Sequence, residues 1–317
     1  MTTRPSAGAT GASAVGRPPP RDVLLMVVGV LAVSTSGPLI AATVAPALAI
    51  AFWRNAMATG VIAPYALWRH RGELLAIGRR ELVLALAAGV LLAAHFATWV
   101  PSLRYTSVAS STALVAVQPV WTALVAARLG QHVPRRAWLG MAVAFAGVLV
   151  LTGVDLSLSG RALFGDLLAL VGGIFAALYV SAGSEARRSM STTAYTLICY
   201  GLCSVILLVV CLVGGQDLGG YDGSTWLKLV ALTVGAQLLG HSVFNIVLRT
   251  TSPTVVSMSL LFEMPGAALI AAVWLGQSPQ WGVLPAAALL LAGVALVISS
   301  GGLGRTGPEN LIEAPPR

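Results

Sequence analysis

The side chains able to bind a solute or move a proton are few, and they stand at regular spacings inside otherwise apolar sequence. Glu263 lies in Leu260, Leu261, Phe262, Glu263, Met264, Pro265 and is the only acidic residue near the middle of a long apolar stretch. Gln118, directly before Pro119, holds the matching place in the first half. Gln237, His241 and Asn245 follow one another in steps of four, which puts all three on one face of a helix. His95 and Trp99 are also four apart, and His95 matches His241 across the halves to within one residue. Arg54, followed by Asn55, completes the set.

A carboxyl, imidazoles, amides, an indole and a guanidinium are groups that bind a small polar solute. An ionisable residue at the centre of a membrane helix costs about 2.5–3.5 kcal/mol on insertion scales, so each one retained needs a reason. Imidazole titrates near neutral pH, which makes Glu263 and His241 the candidates for proton exchange. Glu263 also has a structural reading, as a protonated, hydrogen-bonded link between helices, with the prolines merely kinking their spans. Arg54 has two readings as well: it receives an anionic group of a solute, or it holds exposed carbonyls or a helix C-terminus and serves folding. Pro119 and Pro265 each remove a backbone hydrogen bond in mid-helix, and a helix broken beside Gln118 and Glu263 makes a binding platform.

Two histidines without companion cysteines or carboxylates make a weak case for a metal site. Cys199, Cys203 and Cys211 fall on one apolar stretch, where cysteine acts as a small apolar residue. Neither a metal nor a cofactor is expected. There is no Gly-rich phosphate loop, no His-Glu-x-x-His motif and no nucleophile elbow.

The elements that position these groups follow from composition. Of 317 residues, 57% are hydrophobic and 9% charged, and the mean hydropathy is +0.86. The apolar runs are near-continuous, and about 20 residues suffice to cross hydrocarbon. The chain is therefore expected to be an all-α integral membrane protein with lipid as its solvent. Breaks at Arg, Asp, Gly and Pro predict spans near 23–43, 47–68, 82–102, 106–127 and 137–153, then near 163–184, 192–214, 226–248, 253–275 and 280–300. Trp68, Trp138, Trp226 and Trp281 stand near span ends as an interfacial belt, whereas Trp99 and Trp121 are more interior and able to stack on a substrate.

The two sets of spans are related. Leu103, Arg104, Thr106 and Ser107 recur as Leu248, Arg249, Thr251 and Ser252; Leu129, Gly130 and Gln131 recur as Leu275, Gly276 and Gln277; Asp22 opens the first span as Asp166 opens the sixth. Residues 23–153 and 163–300 are thus two five-helix repeats, flanked by a disordered tail at 1–22 and a second tail at 301–317. Five is odd, so the second repeat enters the membrane in the opposite sense to the first. Inverted repeats are typical of secondary transporters, which bind solutes near the midplane between the two halves.

The net charge of +8 is spread over short loops instead of forming a nucleic-acid stripe. With both termini cytoplasmic, Arg69, Arg71, Arg79, Arg80, Arg128, Arg135, Arg136, Arg187, Arg188 and Arg249 lie inside, while the outer loops keep Arg104, Arg161 and Lys228. Asp166 and Glu185 sit near the ends of the sixth span, where water solvates them cheaply.

These features resemble the drug/metabolite transporter superfamily, specifically its ten-helix EamA-type branch. The likeness rests on His95 to Trp99, Ser102 to Ala109 and Gln118-Pro119 in the first half. In the second half it rests on Gly240, His241, Phe244, Asn245, Leu248, Arg249, Leu261, Glu263 and Leu275-Gly276. Two departures stand out. Gln131 and Gln277 replace the glutamate with which the family usually closes its fourth and ninth helices, and Met264 separates Glu263 from Pro265 where the family places proline directly after the glutamate.

The resemblance implies a secondary active transporter of the cell membrane that exports small metabolites, amino-acid-like solutes or related compounds, by proton coupling or exchange. Its substrate site is expected at Arg54, His95, Trp99, Gln118, Gln237, His241, Asn245 and Glu263. The alternatives are an intramembrane enzyme acting on a lipid or prenyl-phosphate substrate, or a channel. Small-residue faces are too common for the sequence to assign a homodimer interface.

Overall fold

In the computed structural model, which describes residues 19–128, 130, 133–154, 159–248, 250–251, 256, 259–276 and 283–299, the apolar runs form helices, with no strand among the described residues. The first half contains α1 (Pro20–Ala42), α2 (Ala47–Arg69), α3 (Arg79–Ser102), α4 (in two pieces, Val108–Val115 and Gln118–Arg128) and α5 (Arg135–Val154). The second contains α6 (Gly160–Ala186), α7 (Thr192–Val213), α8 (Gly223–Val247), α9 (Leu260–Leu275) and α10 (Val283–Ser299). A short helix, Arg71–Leu75, joins α2 to α3.

Local chemistry sets several boundaries. Ser107, Ser159, Ser191 and Asp222 each accept a hydrogen bond from a backbone N–H of the helix they precede, satisfying donors that the first turn leaves free. At Asp222 the hydrogen bonds from Thr225 and Ser224 hold the carboxyl below its ordinary pKa. Gly276 closes α9 at φ 64°, a left-handed conformation that glycine adopts without cost.

By length and composition, α1, α3, α4, α6, α7 and α8 suffice to cross a bilayer, and α9 and α10 contain shorter apolar stretches. α2, which carries Arg54 and Asn55, falls outside that set. The outer faces are apolar, with Leu31, Val213, Val273 and Leu284 all well exposed, whereas Arg54, Asn55, His95 and Gln237 are buried. A protein that hides polar groups and displays large aliphatic ones is built for lipid.

Each half packs mainly on the other. α3 lies on α6 and α8 on α1; α4 contacts α6 and α9 contacts α1; α2 meets α7 and α5 meets α10. Exchanging the halves maps this set of pairings onto itself. Small residues permit the close approaches, since lipid gives aliphatic side chains little reason to drive helices together. A Cβ at Gly172 would stand 3.1 Å from Trp99 Cβ and Thr98 Oγ1, and one at Gly147 would stand 2.9 Å from the Ala286 carbonyl.

Several sequence expectations fall outside the described residues: the tails at 1–18 and 301–317, Leu129, Gln131, Arg249, Ser252, Gln277 and Trp281. Asp22, expected only to open a span, accepts hydrogen bonds from Thr250 and Thr251 at 2.6 and 2.8 Å and so ties α1 to the segment after α8. Glu185 pairs with Arg80 at 2.9 Å and Arg188 at 3.0 Å. Trp226, expected in the interfacial belt, packs edge-on against Trp53.

Candidate functional site

Two broken helices set up the site. Proline lacks an N–H, and its ring collides with the carbonyl four residues earlier. Pro119 therefore cannot continue the ladder from Val115: the first piece of α4 ends there, Ala116 and Val117 form a turn, and the helix resumes at Gln118. The carbonyls of Leu114 and Val115 face Gly173 of α6, where a Cβ would come within 3.3 and 3.2 Å of them. In α9 a 3₁₀ turn, Leu260–Phe262, precedes an α-helix starting at Glu263. Gln118 and Glu263 thus each open a resumed helix, at the end where the macrodipole is positive. Met264 shifts the proline by one place, but the α-helix still begins at the polar residue.

Between the broken helices lies a cavity of about 50 Å³, room for a few water molecules. His95, Trp99, Thr112, Gln118, Tyr179, His241 and Glu263 are among its walls. His95 Nδ1 is 2.9 Å from the Gly172 carbonyl, and a carbonyl only accepts, so Nδ1 carries the proton and Nε2 is left as the acceptor of the neutral ring. The imidazole stacks on Trp99 at 5.6 Å and 11°, and Phe96 stands edge-on to His241 at 6.3 Å. Trp99 Nε1 and Thr112 Oγ1 are buried and have no hydrogen-bond partner among the described residues.

The polar stripe of α8 does three different things. The helix winds as a π-helix over Thr233–His241 and returns to α at Ser242; such wide turns often accompany functional sites. Gln237 lies outside the cavity wall: its Oε1 accepts from Arg54 Nε at 2.9 Å, and its Nε2 donates to Asn55 Oδ1 at 3.0 Å. His241 faces the cavity. Asn245, also outside the wall, accepts at Oδ1 from Arg187 Nη1 at 2.7 Å and lies beside the Tyr179 hydroxyl. The expected single face is thus divided, with one residue on the cavity and one on a buried arginine to either side.

Arg54 is 0% exposed. Its Nη1 donates to Ser36 Oγ at 3.2 Å, and its guanidinium lies 4.4 Å above the Phe96 ring. It is not part of the cavity wall, but its charge is within electrostatic reach of His95, His241 and Glu263. Of the expected site residues, then, His95, Trp99, Gln118, His241 and Glu263 line one cavity; Arg54, Gln237 and Asn245 stand behind it. Thr112, Tyr179 and Arg187 were not singled out by sequence. Thr112 lies six residues before Gln118 in the same broken helix, a hint within reach of a careful reading; Arg187 was indistinguishable from an ordinary loop charge beside Arg188.

The sequence model of the EamA-like transporter family matches residues 21–153 and again residues 163–299. Over 253 residues the chain is 25% identical to a protein of Archaeoglobus fulgidus described as an uncharacterized transporter, a match covering 78% of this chain and 86% of that protein. A protein of known crystal structure superposes with a TM-score of 0.67 at 19% identity, covering 87% of this chain and 96% of the other. At that identity the likeness concerns the fold.

Proposed function

Taking as premise that the chain belongs to the EamA-like transporter family and is a multi-pass membrane protein, we propose that it is a secondary active transporter working by alternating access. In this reading ten transmembrane helices form two inverted five-helix repeats, 23–153 and 163–300, in the cell membrane with both termini cytoplasmic. The observation that carries the proposal is that both halves wall one cavity. His95, Trp99 and Gln118 come from the first half and His241 and Glu263 from the second, with a broken helix on each side. The cavity is too small for a metabolite, so a solute enters when the helices of one half tilt against the other.

Glu263 and His241 are the proton-exchanging pair in this proposal, with Trp99, Thr112 and Gln118 as solute contacts. Arg54, Gln237 and Asn245 shape the site from behind. Export of amino-acid-like or related metabolites is the direction and class favoured by the family resemblance. The test is solute flux into liposomes containing the purified protein, with Glu263→Gln compared against the wild type across pH. Flux whose pH dependence disappears in Glu263→Gln, with the fold intact, supports the coupling role. Unchanged pH dependence removes Glu263 from the mechanism.

A further inference from the structure

Arg187 closes the C-terminal end of α6 and is 6% exposed. Asn245 occupies its Nη1, and the ring of Tyr195 lies 4.5 Å beneath the guanidinium. Among the described residues its Nε and Nη2 have no hydrogen-bond partner, and neither has the Tyr195 hydroxyl. Among the described residues no carboxylate is within ion-pairing distance: the sequence neighbour Glu185 is engaged by Arg80 and Arg188. Gly183 leaves the space that these groups share, since a Cβ there would overlap the Tyr195 hydroxyl and come within 3.2 Å of Arg187 Nη1.

Nε and Nη2 form the side-on edge of a guanidinium, the edge that grips a carboxylate or phosphate through two parallel hydrogen bonds. A buried cation with that edge unfilled lacks both its counter-charge and its donors' partners. Water satisfies donors without neutralising the charge. Arg187 stands behind the cavity wall: Asn245, which binds its Nη1, lies 3.5 Å at Oδ1 from the hydroxyl of Tyr179, a wall residue.

We propose that the open edge of Arg187, with the Tyr195 hydroxyl as a third donor, is an anion-binding station that receives a carboxylate or phosphate group of the solute beside the central cavity. The assignment of a solute rests on the transporter reading above; the anion site does not. It follows that the transported class carries a negatively charged group. The same chemistry is offered by the phosphate of a lipid headgroup, and the experiment separates the two sources.

The purified full-length protein, in phosphatidylcholine vesicles, is melted in increasing succinate or in its uncharged diamide at matched ionic strength. Succinate is expected to raise the melting midpoint in a saturable way and succinamide to leave it in place. Asn245→Asp supplies Arg187 with an internal carboxylate, so that variant should melt no lower than the wild type and lose the succinate response. Tyr195→Phe, which keeps the ring and removes one donor, should weaken the response about tenfold. An equal response to succinamide, an unaltered response in Asn245→Asp, or no response to succinate or to phosphatidylglycerol overturns the proposal. Stabilisation by phosphatidylglycerol alone, lost in Asn245→Asp, keeps the anion site and overturns the solute as its occupant. Flux in the liposome assay without an anion response leaves transport standing and sinks this inference; an anion response without flux does the reverse.

Discussion

Two buried arginines flank the stripe of α8, and they are held differently. Arg54 is bound at Nε by Gln237 and at Nη1 by Ser36 and rests on Phe96, so its side-on edge is half filled by the protein itself. Among the described residues Arg187 is bound at Nη1 alone, by Asn245, and it rests on Tyr195 with its side-on edge unpaired. Both arginines are anchored by a side-chain amide four residues from His241, on opposite sides of it. A guanidinium tied to several elements is a fixed charge that shapes its surroundings; one tied at a single corner is still able to bind. The first description fits the folding role considered for Arg54, the second a ligand role for Arg187.

The comparison can be broken most directly at the amides. Gln237→Leu removes the acceptor of Arg54 and a donor to Asn55, both buried, and should lower stability by about 2.5–4 kcal/mol, since a hydrogen bond to a charged group contributes about 1.5–3 and a neutral one about 1. Asn245→Leu removes the charged hydrogen bond from Arg187 and only long contacts of 3.4–3.5 Å with the Tyr179 hydroxyl, and should cost about 1.5–3 kcal/mol. Equal losses in the two variants, measured by unfolding in mixed micelles, would contradict the idea that Arg54 is the more firmly held.

The rings give a smaller effect. Phe96→Leu and Tyr195→Leu each remove a cation–π contact of about 0.5–2 kcal/mol. Succinate should stabilise Phe96→Leu as much as the wild type and Tyr195→Leu less, because only Tyr195 belongs to the arginine with an open edge. A succinate response lost in Phe96→Leu and kept in Tyr195→Leu would place the anion at Arg54 instead.

The smallest effect concerns the end of the molecule that carries Arg187. Burial acts to raise the pKa of Glu73, but hydrogen bonds from Ser191 and His70 outweigh it and hold the carboxyl below its ordinary value of 4.5. A carboxyl so lowered contributes stability that is complete above 4.5 and is lost as pH falls through its lower folded value. Ser191 caps α7, the helix of Tyr195, so Glu73→Gln should flatten the acid limb of the melting curve and loosen the Arg187 region while leaving hydrogen exchange around Arg54 unchanged. An unaltered acid limb would remove Glu73 from that tether.

Much of the candidate site was legible in the residues. Proline in mid-span marked both helix breaks, because a missing N–H acts locally, and so Gln118 and Glu263 were found beside them. The repeat matched His95 to His241, and both line the cavity. The division of labour along α8 was not legible. Four-residue spacing predicts a shared face, but it does not say which neighbour reaches that face first, and the π-helix changes the winding midway. Nor did sequence distinguish Arg187 from Arg188, adjacent residues of the same type of which one is buried and the other half-exposed.

By itself, then, the sequence determined that this is a membrane protein of related halves with polar residues at their broken helices. Hydropathy, proline and internal similarity are properties of the chain alone. Only the tertiary structure decided which polar groups meet. Pairings such as Arg54 with Gln237, Arg187 with Asn245 and Asp22 with Thr251 join residues 183, 58 and 229 positions apart. Such contacts depend on how helices distant in sequence pack together, and no local spacing encodes that.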